Sequence, residues 1–161
     1  GRGGLDEAGW IDDVAFSSDG KFLLGVGQQK PRVALWDAAA WDAEPRRFEG
    51  SCAALATHSP LLAIGVSKAV RLVDATTGKE TRDIDLGLAV RCVAVSATGE
   101  LIGAGAEDGT IVVWRAADGR ETIRGMRGEP ASSLAFSPDG AWLVAASALS
   151  VEVWGLPPGG K

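Results

Sequence analysis

"AFSPDG" occupies Ala135–Gly140 and "AFSSDG" occupies Ala15–Gly20. The two copies start 120 residues apart, which fits one long repeat or several short ones. Such self-similarity has to be resolved first, because the period sets the architecture. Within each copy, Phe closes an apolar run, Ser, Asp and Gly are turn formers, and a second apolar run follows ("FLLGVG" and "WLVAA"). That is a strand, a tight turn and a strand.

Working outward gives four units: "DVAFSSDGKFLLGVGQQKPRVALWD" (Asp13–Asp37), "AALATHSPLLAIGVSKAVRLVD" (Ala53–Asp74), "RCVAVSATGELIGAGAEDGTIVVWR" (Arg91–Arg115) and "SSLAFSPDGAWLVAASALSVEVWG" (Ser132–Gly155). The first apolar runs end at Phe16, Ala56, Val95 and Phe136, spaced 40, 39 and 41 residues. The third runs end at Trp36, Val73, Trp114 and Trp154, spaced 37, 41 and 40. Two independent anchors agree on one period, so the 120-residue gap is three units and the chain holds four.

Each unit reads as β-structure. Its apolar runs are short, rich in Val, Ile, Leu and Phe, and cut by Gly, Asp and Ser, and no window sustains a helical period. The third unit predicts strands at Val90–Val95, Leu101–Ala106, Thr110–Arg115 and near Glu121–Met126, a four-stranded antiparallel meander. Its strands are apolar on successive residues, so both faces of the sheet must be covered. Radial stacking of such sheets provides that cover and leaves only short edges. The expected fold is all-β, with four propeller blades.

These residues resemble the WD-repeat β-propeller family. The matching stretches are "FSPDG" (Phe136–Gly140), "FSSDG" (Phe16–Gly20), "VALWD" (Val33–Asp37), "EDGTIVVW" (Glu107–Trp114) and "VEVWG" (Val151–Gly155), and the likeness covers Trp10 to Gly155. It implies one blade per repeat, with each first strand lining a central channel. The chain departs from the family pattern. The family's Gly-His pair is missing from every unit, its nearest counterpart being "RGE" at Arg127–Glu129. The Trp-Asp pair is intact only at Trp36–Asp37 and becomes Val73–Asp74, Trp114–Arg115 and Trp154–Gly155. The family's His–Ser/Thr–Asp–Trp network therefore keeps only Asp108 and Trp114, and the blades are expected to be held by apolar packing and ladder hydrogen bonds. "VDATTGKET" (Val73–Thr81) is similar to the docking motif of quinoprotein dehydrogenases, but the Trp of that motif is absent.

The blades are assigned to residues 10–50, 51–87, 88–128 and 129–155, with an N-terminal segment 1–9 and a tail 156–161. The fourth unit runs into "GLPPGGK", whose two prolines cannot extend a hydrogen-bonded ladder. Residues 1–9 are the candidate closing strand for that blade. Four blades in an open array leave an apolar face at each end. At ~500 Å² per face and about 25 cal/mol per Å², the loss is on the order of 25 kcal/mol. Two copies completing an eight-bladed ring, a tight ring closed within one chain, or further blades of a longer propeller would each cover them.

Composition narrows the function. The chain has 161 residues, 46% hydrophobic and 23% charged, and a net charge of −5. It has no basic cluster of the kind phosphate backbones require, so no nucleic-acid partner is expected. No apolar run is long enough for a membrane helix. Cys52 and Cys92 read as buried free thiols and the single His58 as a turn residue, so neither a metal nor a cofactor is expected. No nucleophile or phosphate-loop motif is present, and the chain reads as non-enzymatic. Function then falls to the loops of a rigid scaffold. The rim that carries the second-to-third-strand turns and the links into each first strand presents Trp10, Gln28, Gln29, Lys30, Lys68, Arg91, Glu107, Arg127 and Glu129. Its mixed charge suits a protein or peptide partner. The expected function is a cytoplasmic protein-interaction scaffold, with a ring-forming module that has no ligand as the alternative.

Overall fold

The computed structural model describes residues 11–27 and 32–157, and those residues form fifteen strands and no helix. Blade one consists of β1 (Ile11–Phe16), β2 (Phe22–Gly27), β3 (Val33–Asp37) and β4 (Arg46–Phe48). Blade two has β5 (Cys52–Leu55), β6 (Leu61–Val66), β7 (Ala69–Asp74) and β8 (Glu80–Asp85). Blade three has β9 (Val90–Val95), β10 (Leu101–Ala106), β11 (Thr110–Arg115) and β12 (Glu121–Met126), at the bounds the sequence predicts. Blade four has β13 (Ser133–Phe136), β14 (Trp142–Ala146) and β15 (Val151–Gly155). Each sheet is an antiparallel meander, four-stranded in blades one to three and three-stranded among the described residues in blade four. The candidate closing strand at residues 1–9 lies outside the described residues.

Three apolar cores join the blades in series. Phe22, Leu24, Val26, Val33 and Leu35 of blade one pack on Leu62, Ile64 and Val73 of blade two. Val70, Leu72 and Ile84 of blade two pack on Val93, Ile102, Ala104 and Trp114 of blade three. Cys92, Ala94, Ile111 and Val113 of blade three pack on Leu134, Leu143 and Ala145 of blade four. Alternate residues of β10 and β11 thus serve opposite neighbours, which explains why these strands are apolar throughout.

The motif that counts the blades is a side-chain-locked turn. In blade four the Ser137 amide donates to the Trp142 carbonyl (2.9 Å), the Trp142 amide donates to Ser137 Oγ (3.0 Å), and the Ser137 hydroxyl donates to Asp139. Asp139 Oδ1 also accepts from the Ala141 amide (3.0 Å), and Gly140 takes the left-handed conformation, φ 70°, that completes the bend. Blade one repeats the arrangement with Ser17, Asp19, Gly20 and Phe22. In blade three Ser96 and Gly99 keep it, and Thr98 replaces Asp. The Ser17 hydroxyl and the Lys21 amide hold Asp19 down at about 2. Ser137→Ala removes the hydroxyl from both of its bonds and is expected to cost about 1 kcal/mol in chemical denaturation, whereas Ser132→Ala, which loses one bond to the Ala146 carbonyl, should cost less.

The outer strands add a second recurring link. Arg46 of β4 donates to the carbonyls of Ala75 (2.7 Å) and Thr76 (3.0 Å) in the β7–β8 turn, and Arg82 of β8 donates to the Ala117 carbonyl (3.3 Å) in the β11–β12 turn. Each arginine reaches forward to the next blade. The turn it meets in blade two is the "DATTGK" stretch, which folds because Asp74 Oδ1 accepts from the Thr76 and Thr77 amides.

Candidate interaction rim and trough

The turns between second and third strands and the links into each first strand share one rim, tied by backbone hydrogen bonds. The Leu86 amide donates to the Lys68 carbonyl (2.9 Å) and the Val90 amide to the Ser67 carbonyl (2.9 Å). The Glu107 amide donates to the Ala89 carbonyl (3.0 Å), and the Arg127 amide to the Gly109 carbonyl (2.9 Å). Lys68, Glu107 and Arg91 stand exposed on this rim and Glu129 is half-buried. Trp10, Gln28, Gln29 and Lys30 lie outside the described residues.

Arg127 departs from the expectation. Its side chain is 1% exposed and lies between blades three and four. Its Nη2 donates to Ser150 Oγ (2.8 Å), and its Nε sits 3.2 Å from Glu152 Oε1, an ion-pair distance without hydrogen-bond alignment. Nη1 is buried with no hydrogen-bond partner. Ser147 Oγ lies 3.2 Å from Ser150 Oγ and donates to Glu129 (3.2 Å), extending the chain of polar contacts. The physical reason is Glu152. It stands on the β15 face that meets blade three, at the register position of the apolar Val112 in β11, and a carboxylate there recruits a cation. Arg127 is thus a structural link rather than a contact residue.

The first strands β1, β5, β9 and β13 line a trough of about 480 Å³. Asp12, Asp13, Ser51, Arg91 and Ser132 line it together with Cys52 and Cys92. The serine hydroxyls are already committed, Ser51 to the carbonyls of Gly65 and Val90 and Ser132 to that of Ala146. Both cysteines are free. Each packs against a glycine of the neighbouring strand. A Cβ on Gly65 would stand 2.5 Å from Cys52 Sγ, and one on Gly105 would stand 2.8 Å from Cys92 Sγ. Burial raises the Cys52 thiol and pushes Cys92 up to about 11 from an ordinary 9.0. The folded chain therefore holds the Cys92 proton where the unfolded chain releases it, and stability should decline as pH rises from about 9 to about 11. At pH 8 a thiol reagent should modify Cys92 only after denaturant is added. Rapid labelling of the native chain would contradict the burial.

A second cleft, about 750 Å³, opens on the opposite rim between blades one and two, lined by Ser18, Asp19, Lys21, His58 and Thr76 among others. His58 Nδ1 lies 3.4 Å from Ser18 Oγ, whose hydroxyl also meets the Thr57 carbonyl. No group of three or more His, Cys, Asp or Glu is placed to hold a metal among the described residues. Trp142 is 50% exposed, and Trp41 of the β3–β4 link stacks edge-on against Phe16 at 6.4 Å.

The family model described as "WD domain, G-beta repeat" matches residues 86–115 and 121–154. The small ribosomal subunit protein RACK1 of Medicago sativa is 39% identical over 67 residues, covering 42% of this chain and 21% of that protein. RACK1y of Oryza sativa subsp. japonica is 40% identical over 67 residues, covering 42% of this chain and 20% of that protein. The chain thus spans about a fifth of the length of these relatives. Two solved structures share the fold. Hydrazine synthase of Kuenenia stuttgartiensis superposes with a TM-score of 0.71 at 18% identity, over 95% of this chain and 49% of that one. A chain of the mitotic checkpoint complex does so with a TM-score of 0.76 at 22% identity, over 91% of this chain and 51% of that one. The repeat model matches blades three and four, and all four blades follow one antiparallel meander, so the chain has the architecture of WD-repeat β-propellers and resembles that family.

Proposed function

We propose that the chain is a protein-interaction scaffold without catalytic activity, working in the cytoplasm, whose four blades supply half of a propeller ring. The other half comes from a second copy or from further blades of a longer propeller. The observation that carries this reading is the single rim that gathers Lys68, Arg91 and Glu107, exposed and of both signs, beside the trough. Mixed charge on rigid turns suits a polar protein or peptide surface. The relatives that match at 39–40% identity are by name parts of a ribosomal subunit, which accords with a role inside an assembly. The rim residues outside the described segments, Trp10, Gln28, Gln29 and Lys30, belong to the same proposed surface, and residues 1–9 are proposed as the fourth strand beside β15.

The test is affinity capture on immobilised wild type and on the Arg91→Ala/Glu107→Ala double variant. Both side chains are exposed, so the variant should keep the wild-type melting temperature. A partner retained by wild type and lost from the variant is the expected result. Equal or negligible capture by both would favour a ring-forming module without a ligand.

A further inference from the structure

The described residues include nine exposed large hydrophobic side chains, and their distribution is uneven. Ile11, Val14, Phe16 and Trp41 belong to blade one, and Trp142, Leu149, Val151 and Val153 belong to blade four. Only Met126, on the outer strand β12, lies between them. Among the described residues the exposed apolar surface is thus concentrated on the two end blades, at sizes that mark association sites rather than scattered surface residues.

The register shows what these faces are built to meet. In the junction of blades three and four, Ile111 and Val113 of β11 share a core with Leu134 of β13 and Leu143 of β14. Counting back from Trp154 and Trp114, Val151 and Val153 stand in β15 where Ile111 and Val113 stand in β11. Counting back from Phe16 and Phe136, Val14 stands in β1 where Leu134 stands in β13. Val14 is 63% exposed and Val153 61%. The free face of blade four is the forward half of an inter-blade core, and the free face of blade one is the rear half.

We infer that these faces pack on each other between two copies of this chain, blade four of one against blade one of the other, twice around a twofold axis, closing an eight-bladed ring. The inference deepens the scaffold reading by choosing a second copy as the other half of the ring. The fold leaves room for it, because this chain superposes over about half of each of two longer chains, at TM-scores of 0.71 and 0.76. The area also agrees. The exposed parts of the four side chains at each end amount to roughly 400–500 Å², so two junctions bury on the order of 2,000 Å², within the range of stable dimers. A head-to-tail contact that closes after two copies leaves no free end to propagate.

The experiment is sedimentation equilibrium of the 161-residue chain and of two charge variants, Val14→Lys and Val153→Glu. Wild type is expected at twice 16.6 kDa. Each variant alone should be monomeric, with an unchanged far-ultraviolet spectrum because both sites are exposed. An equimolar mixture should return to the dimer mass, since a mixed pair carries one unaltered junction and one Lys–Glu junction. A monomeric wild type, a mass that keeps growing with concentration, or a mixture that stays monomeric would each overturn the inference. Partner capture by a monomeric wild type would leave the scaffold reading standing while removing the ring of two copies.

Discussion

Arg127→Ala is expected to destabilise the chain by about 2–3 kcal/mol, whereas the double replacement Arg127→Met/Glu152→Val should be close to neutral or stabilising. The guanidinium is almost fully buried and carries an unpartnered Nη1, so it has lost water without regaining a full set of hydrogen bonds. Its retention is forced by Glu152, which faces blade three where Val112 stands in β11. Removing the cation alone takes the partner from the half-exposed Glu152 carboxylate and opens a cavity the length of the arginine stem. Removing both charges restores the apolar contact that the other junctions use. Urea denaturation of the two single variants and the double variant forms a closed cycle. A double variant as unstable as Arg127→Ala would show that the charges specify the junction rather than tolerate one another.

Gly109→Ala is expected to cost about 3 kcal/mol. Gly109 closes the β10–β11 turn at φ 90°, a conformation that costs an L-residue roughly 1–2 kcal/mol. An added Cβ would also stand 2.4 Å from the Arg127 carbonyl oxygen, which is backbone and cannot rotate away. The Gly109 carbonyl accepts the Arg127 amide that leads into blade four. The substitution therefore strains the turn and pushes off the link to the next blade at once. Gly140→Ala is the control. Its φ of 70° is similarly strained, but open space surrounds the added methyl, so only the conformational part of the cost should appear. Equal melting temperatures for the two variants would show that the link is not held at Gly109.

The period and the blade order were legible because the turn depends on side chains with narrow roles. Ser137, Asp139 and Gly140 each do something no common replacement does, so the letters persist in blade one and survive in part at Ser96 and Gly99. Blade two lacks all three roles. Ala56 keeps only the backbone bond to Leu61, and there the anchor was legible by spacing alone. The site was less legible. Arg127 sits in a link between blades, where a charged residue defaults to the surface. The sign of its burial lay far along the chain, in the Glu of "VEVW" among apolar neighbours. The register of Trp142 explains its exposure: it occupies the forward-facing position that Phe22 fills against blade two, but on the blade with no successor among the described residues. A sequence shows which residues face a neighbour. Whether the neighbour belongs to the same chain depends on how many blades are present.

That question is settled most directly by an isotope-filtered nuclear Overhauser measurement on an equal mixture of labelled and unlabelled chain. A ring of two copies predicts cross-peaks between copies that link the Val14 methyls to those of Val151 and Val153, at contact distances of about 4–5 Å. The same cross-peaks arising only within one chain, or Val14 and Val153 methyls that contact nothing but water, would contradict it.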